Sequence, residues 1–204
     1  MKRVLLTGFE PFAGASLNPS EQIVNALKAR QIEGVELHTA VLPVVFTESS
    51  ELLRHLIKLH NPDVVICLGQ AEGRSEVSFE RVAINLDDAR LADNAGRTVT
   101  DQPIVEDGPE AKFTTLPVKE MVAAVRAEGI AAGLSTTAGT FVCNHIFYAM
   151  QHALAGTSVL SGFIHVPLMA EQAADFAGLP TMTLDQQVRA IEIAIRVAAE
   201  VWSA

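Results

Sequence analysis

Apolar residues first run together at residues 3–7 (RVLLT) and stop at Gly8, a pattern that suits a short buried strand. Asn18-Pro19-Ser20-Glu21 then reads as a helix start. Asparagine caps, proline fits the first helical position, and Glu21 stands where a capping box places its acid. Ile23, Val24 and Leu27 follow at helical spacing. Residues 35–42 read as a second strand, and 47–59 as an amphipathic helix with Leu52, Leu53, Leu56 and Ile57 on one side. The unbroken apolar stretch 63–69 (DVVICLG) predicts a strand covered on both faces. Residues 77–86 read as one extended segment, and 90–107 as a polar segment without a period. Helices are predicted over 118–127 and 142–154, and a strand over 158–166. Thr183 and Gln186 form a capping-box pair, after which Val188, Ile191, Ile195, Ala198 and Trp202 recur at steps of three and four.

Strands alternate with helices along the whole chain, which predicts an α/β fold with a mostly parallel (mixed) central sheet and helices on both faces. No internal repeat, linker or low-complexity tract interrupts the pattern, so residues 1–204 are expected to form a single α/β domain. Hydrophobic residues make up 49% and charged residues 19%, enough apolar material for a substantial core. A formal net charge of −9 argues against nucleic acid, whose binding depends on clustered Lys and Arg. The N-terminus does not resemble a signal peptide, because Gly8, Glu10 and Pro11 interrupt it after a few apolar residues. No apolar run approaches the ~20 residues that span a bilayer. Two cysteines without a signal suggest free thiols in a reducing compartment, so the expectation is a cytoplasmic protein with no membrane partner.

Candidate chemistry centres on the cysteines. Cys67 sits inside the apolar strand VVICLG, where a thiol acts as a small hydrophobe. Cys143 precedes the helical pattern of Ile146, Phe147, Met150 and Leu154, and a thiol at a helix N-terminus is biased toward thiolate. Position alone leaves it either a nucleophile or a core thiol. A nucleophilic cysteine needs a base. His38, His55 and His60 lie in or beside polar stretches and are expected to face solvent, while His145 and His152 share the helix after Cys143. His165 ends the apolar strand VLSGFIHV, where open α/β sheets place their sites, and is either the base or a satisfied core histidine. Glu80, in the apolar setting VSFERVA, could orient an imidazole or pair with a neighbouring arginine; Asp87 and Asp88 suit a turn or loop. The chain has no G-x-G-x-x-G after its first strand and no G-x-x-x-x-G-K-[ST], and its cysteines lack histidines at zinc-ligand spacing.

The stretches around these residues carry a resemblance. LLTGFEPFAGASLNPS at 5–20, CLGQAEGR at 67–74, ERVAINLDDARLADNAG at 80–96, GTFVCNHIFY at 139–148, GFIHVPLM at 162–169 and GLPTMTLDQQVRAIEIAI at 178–195 resemble the pyroglutamyl peptidase I (pyrrolidone-carboxylate peptidase) family of cysteine exopeptidases, in the family's order. The resemblance implies a three-layer α/β/α sandwich and a triad of Cys143, His165 and Glu80. It implies hydrolysis after an N-terminal pyroglutamyl residue of peptides, with no metal or organic cofactor, by an enzyme that often assembles as a homotetramer. It further implies that Phe9, Phe12 and Phe141 line the lactam pocket, that Gln70 helps hold the ring, and that Arg90 lies near the oxyanion. Glu72 departs from the family pattern GQAGGR, where glycine stands, and this bears on substrate preference more than on reaction type.

Overall fold

A computed structural model describes residues 1–202, so the last two residues of the expected 1–204 domain lie outside the described residues. In chain order the elements are β1 (Lys2–Phe9), α1 (Pro19–Lys28), β2 (Val35–Leu42), α2 (Phe46–His60), β3 (Val64–Gln70), β4 (Val77–Glu80), β5 (Val82–Ile84) and β6 (Ala111–Phe113). There follow α3 (Val118–Ala127), β7 (Ala132–Ser135), α4 (Val142–Ala153), β8 (Leu160–Val166), β9 (Leu168–Met169), a 3-10 turn (Ala170–Gln172), β10 (Thr181–Met182) and α5 (Leu184–Val201). Among the described residues no helix is long and apolar enough to cross a membrane.

The main sheet has six strands in the order β2-β1-β3-β8-β4-β7. The first four run parallel, whereas β4 runs antiparallel to β8 and parallel to β7. The sheet is therefore mixed and mostly parallel, as the alternation of strands and helices predicts. Successive residues of a strand face opposite sides, and the core divides accordingly. Val4, Leu6, Val64, Ile66 and Leu68 pack under α1, α3 and α5, while Leu5, Val65, Cys67 and Phe163 pack under α2 and α4. Every residue of β3 is buried, which accounts for its unbroken apolar run.

Local chemistry explains the boundaries. Asn18 caps α1, its Oδ1 accepting from Ser20 N at 3.0 Å and from Ser20 Oγ at 2.8 Å, but Glu21 does not complete the capping box. Thr183 Oγ1 accepts from Gln186 N at 3.3 Å at the start of α5. Trp202 lies past the helix rather than on it. Its Nε1 donates to Ser158 O at 2.9 Å, and the Lys2 ammonium sits 3.8 Å above its ring.

Two differences from the sequence pattern bear on the site. The extended run 77–86 is not one strand: it breaks at Arg81, leaving β4 in the main sheet and β5 paired with β6 in a separate antiparallel ribbon. All of β4 is buried between β8 and β7, whereas β5 reaches the surface. Strand β7 (AGLS) has no β-branched or aromatic residue to announce it, and it forms because β4 offers it a parallel partner.

Candidate active site

The C-terminal ends of β1 and β3 and the N-terminus of α4 converge on one cleft. Phe9, Phe12, Asn18, Val44, Gln70, Phe141, Val142 and Cys143 line it, with ≈ 250 Å³ of empty space. Phe9 ends β1 and is buried, Phe12 follows on the next loop, and Phe141 is the N-cap residue of α4. The rings of Phe12 and Phe141 lie 6.2 Å apart, and Phe46 buttresses Phe141 edge-on at 5.3 Å. Gln70, the last residue of β3, closes the apolar cleft with an amide.

Cys143 is the second residue of α4, as its place before the helical pattern suggests. Phe141 supplies no side-chain cap, and the first i→i−4 bond of the helix runs from His145 N to Phe141 O. The N–H groups of Val142, Cys143 and Asn144 therefore have no intrahelical acceptor. The thiol, half-buried, rests against β3. A Cβ added to Gly69 would stand 2.8 Å from Cys143 Sγ and 2.8 Å from Phe163 Cζ, so only glycine leaves the sulfur its seat. Gly69→Ala should displace the sulfur and lower kcat by about 10²-fold, the usual cost of a misplaced reacting group. Steady-state kinetics beside a thermal melt would check this, and an unchanged kcat would contradict it.

Gly69 pairs in register with His165 on β8, which places the imidazole on the strand next to the one that seats the sulfur. Ser78 of β4 faces His165 across the antiparallel pair, and Glu80, two residues on, is its diagonal neighbour on the same face of the sheet. His165 Nδ1 and Glu80 Oε1 lie 2.8 Å apart, both buried. The same Oε1 accepts from Arg74 Nη1 at 2.7 Å, and Arg74 Nη2 also donates to Thr137 O at 2.9 Å. The two readings of Glu80 open in the sequence, salt bridge and histidine partner, thus coexist.

The electrostatics follow from burial. Burial alone would raise the Glu80 carboxyl, but the hydrogen bond and charge of His165, then Ser135 and the Arg74 charge, outweigh it and hold the group below its ordinary range. Burial holds His165 below its ordinary 6.5, with Arg74 adding to the effect and Glu80 opposing it. Arg74, rather than an imidazolium, is therefore the counter-ion of Glu80. His165 rests neutral, donating Nδ1–H to Glu80 and leaving Nε2 with a lone pair. Burial pushes the Cys143 thiol up to about 12, the nearby Glu80 charge reinforcing the shift and Arg74 opposing it. Desolvation outweighs the helix N-terminus, so the resting thiol is protonated instead of poised as thiolate. Cys67 is fully buried, its thiol likewise pushed up to about 12, and it faces Met150 rather than the cleft.

The remaining candidates separate cleanly. Arg90 is exposed and makes no hydrogen bond or ion pair among the described residues. Its segment is nonetheless clipped beside α4, with Asp88 N donating to Thr140 O at 2.9 Å and Thr140 Oγ1 to Asp88 O at 2.7 Å. Asp87 does more than serve a turn. It is buried with Oδ2 2.7 Å from His145 Nδ1, and His145 Nε2 lies 3.2 Å from Ser50 Oγ. Both nitrogens of His145 are occupied, so it has no lone pair for Cys143. His38 and His60 do not simply face solvent but stack, half-buried, at 4.1 Å. Glu72 is exposed and reaches back to Gln70 Nε2 at 3.5 Å. Sequence reasoning missed Arg74 and Gln172 as site neighbours; Arg74 lay within the CLGQAEGR stretch, but no spacing rule tied it to Glu80.

A thiol at an uncapped helix start, a neutral buried histidine and a buried carboxylate on an α/β sandwich are the components that a cysteine hydrolase uses. Comparison with known proteins specifies which. A family model described as pyroglutamyl peptidase matches residues 2–201. The chain is 46% identical to a pyrrolidone-carboxylate peptidase of Bacillus mycoides (98% of this chain, 94% of the relative) and 50% identical to one of an Enterobacter species (97% and 93%). Its fold superposes on pyroglutamyl peptidase I of Bacillus amyloliquefaciens with a TM-score of 0.94 at 42% identity, covering 98% of each chain. A mutant pyrrolidone carboxyl peptidase of Pyrococcus furiosus gives a TM-score of 0.95 at 40% identity, covering 98% of this chain and 100% of that one. The chain belongs to the pyroglutamyl peptidase family of cysteine hydrolases.

Proposed function

We propose that this protein hydrolyses the amide bond after an N-terminal pyroglutamyl residue of peptides, using Cys143, His165 and Glu80 through a thioester intermediate. The observation that carries the reading is the His165 Nδ1–Glu80 Oε1 contact of 2.8 Å, which leaves Nε2 as a base on the strand beside the one that seats the sulfur. Cys143 Sγ attacks the pyroglutamyl carbonyl carbon while Nε2 takes the thiol proton. The N–H groups at the start of α4, with Arg90, stabilise the oxyanion. As the tetrahedral intermediate collapses, the C–N bond breaks and His165 returns the proton to the leaving amine. Water, deprotonated by His165, then attacks the thioester and releases pyroglutamate. Glu80 holds the tautomer, and Arg74 keeps Glu80 ionised. The ring sits among Phe9, Phe12 and Phe141 with Gln70 at its polar edge, as a neutral lactam with an apolar body requires. The setting is cytoplasmic, and the working form is a homotetramer. Turnover on a panel of N-terminally blocked chromogenic amides tests the activity; no cleavage of the pyroglutamyl member would refute it.

His165→Ala should lower the rate of thioester formation by about 10³-fold or more, because it removes the base that takes the thiol proton. Glu80→Gln should cost less, since the amide oxygen still accepts Nδ1–H while the counter-ion of Arg74 is lost. Single-turnover measurements would rank the two, and a larger loss for Glu80→Gln would contradict the assignment.

The pH dependence follows from the same groups. Activity needs His165 neutral, and its folded pKa lies below 6.5, so the acid limb of kcat/KM should fall below pH 6.5. Both His165 and Glu80 are depressed in the folded state, so below their ordinary values of 6.5 and 4.5 the unfolded chain binds these protons first. Their stability contribution is complete at neutral pH and is lost as pH falls, first through His165 and then through Glu80. Thermal melts at descending pH, beside the kinetic profile, would show both effects.

A further inference from the structure

We infer that Gln172 fixes the direction of the Gln70 amide and so makes the cleft select a ring carbonyl at that edge; the inference rests on the pyroglutamyl reading above. Two backbone anchors settle how Gln172 lies. Met169 N, which can only donate, meets Gln172 Oε1 at 2.9 Å, and Leu17 O, which can only accept, meets Gln172 Nε2 at 3.3 Å. The same Nε2 donates to Gln70 Oε1 at 3.0 Å. Gln70 therefore spends its acceptor on Gln172, which leaves its NH₂ for a group bound in the cleft that Gln70 lines. The one other contact of that NH₂ among the described residues is Glu72 Oε1, at 3.5 Å and itself acceptor-only.

Turning the Gln70 amide over would set two NH₂ groups face to face. Gln172 and Gln70 are 2% and 8% exposed, so water cannot relieve that clash. The relay thus converts a symmetric-looking amide into a donor of fixed direction. A donor recognises the C=O of a lactam and rejects a ring that carries N–H at the same place. Gln172 is a positioning residue. It stands at the end of the 3-10 turn and contacts Gln70 and the loop of Leu17, and it is absent from the lining of the cleft.

The test uses the full chain and reads protection of Cys143 from iodoacetamide, followed by mass spectrometry, so that it does not depend on turnover. Three probes share the ring: 2-pyrrolidone is neutral and carries a carbonyl at the edge, 2-iminopyrrolidine is cationic and carries an N–H donor there, and pyrrolidine is cationic and carries neither. The unsubstituted protein should be protected best by 2-pyrrolidone. In Gln172→Glu one carboxylate oxygen still accepts from Met169 N, the other faces Gln70 Oε1, and the Gln70 amide turns over. Protection by 2-pyrrolidone should weaken about tenfold, while 2-iminopyrrolidine gains and pyrrolidine does not. Gln172→Met, neutral and of similar length, should weaken 2-pyrrolidone several-fold without a gain for 2-iminopyrrolidine, and it decides the matter if the glutamate variant fails to fold. Folded variants that bind 2-pyrrolidone within twofold of the parent would overturn the inference. So would equal weakening of all probes, which marks simple loosening, or an equal gain for pyrrolidine, which marks charge alone. If the parent protein neither binds 2-pyrrolidone nor cleaves a pyroglutamyl amide, the functional reading fails first and takes this one with it.

Discussion

Serine in place of Cys143 should abolish turnover of a pyroglutamyl amide, a loss of roughly 10⁴-fold or more. The resting thiol is already hard to ionise, at about 12, so the proposed mechanism depends on transferring its proton to His165 as the bond to carbon forms. A hydroxyl is a weaker acid still and its oxygen a poorer nucleophile, while the environment of this site, built of burial and a nearby carboxylate, offers no compensation. Cys67→Ser is the control. That thiol is fully buried on β3, so the substitution should cost about 1–3 kcal/mol of stability from an ill-placed hydroxyl and leave kcat near the parent value. Progress curves on a chromogenic pyroglutamyl amide, with thermal melts of both variants, would separate the two roles. Retained activity in Cys143→Ser, or alkylation that inactivates through Cys67, would overturn the mechanism.

The second large effect concerns the ring. Pyroglutamyl amides should be cleaved at least ~10⁴-fold more efficiently than prolyl amides, because a site arranged to hydrogen-bond one group rejects the analogue that lacks it. A prolyl ring brings a protonated nitrogen among Phe9, Phe12 and Phe141 and offers no carbonyl to Gln70. Burying that charge unpaired is costly. Glutamyl amides fail for a related reason, since they carry an open chain with both an ammonium and a carboxylate. Phe141→Ala should mainly raise KM, leaving Cys143 open to small alkylating reagents. Comparable kcat/KM on prolyl and pyroglutamyl amides would sink the lactam pocket while leaving the cysteine hydrolase standing.

Much of this architecture was legible along the chain, and the parts that were not share a cause. Strands β1, β3 and β8 announce themselves because each is an apolar run buried in the sheet, and α1 and α5 because their caps are side-chain chemistry that composition records. Strand β7 and the break at Arg81 are set by what lies alongside, and a partner strand leaves no mark on the residues that accept it. The site divides the same way. Cys143 and His165 stand at element ends, where position suggests chemistry, but the diagonal pairing that brings Glu80 to His165 depends on β4 running backwards beside β8. The protonated state of the thiol escaped as well: the helix start was readable, whereas the burial that overrides it is a property of the folded surroundings. Asp87 looked like a turn residue because its partner, His145, is distant in sequence.

The pleat of the sheet sorts this molecule into two jobs. Val4, Leu6, Val64, Ile66 and Leu68 face α1, α3 and α5, a side that reaches the cleft through Gln70 at the end of β3, whereas the opposite face meets α2 and α4 and carries Phe9, Phe141 and Cys143. Glu80 and His165 lie on that second face too, since their strand neighbours Phe79 and Ile164 belong to the first. Drift in sequence is therefore unequally free. Away from Gln70, side chains of the first face can be exchanged in compensating sets, as packed cores allow, without moving the cleft. On the reactive face the same exchange moves a nucleophile or a pocket wall. A lineage can thus adapt this enzyme to heat or cold through one side of the sheet and to new peptides through the other, with β3 as the shared wall between them.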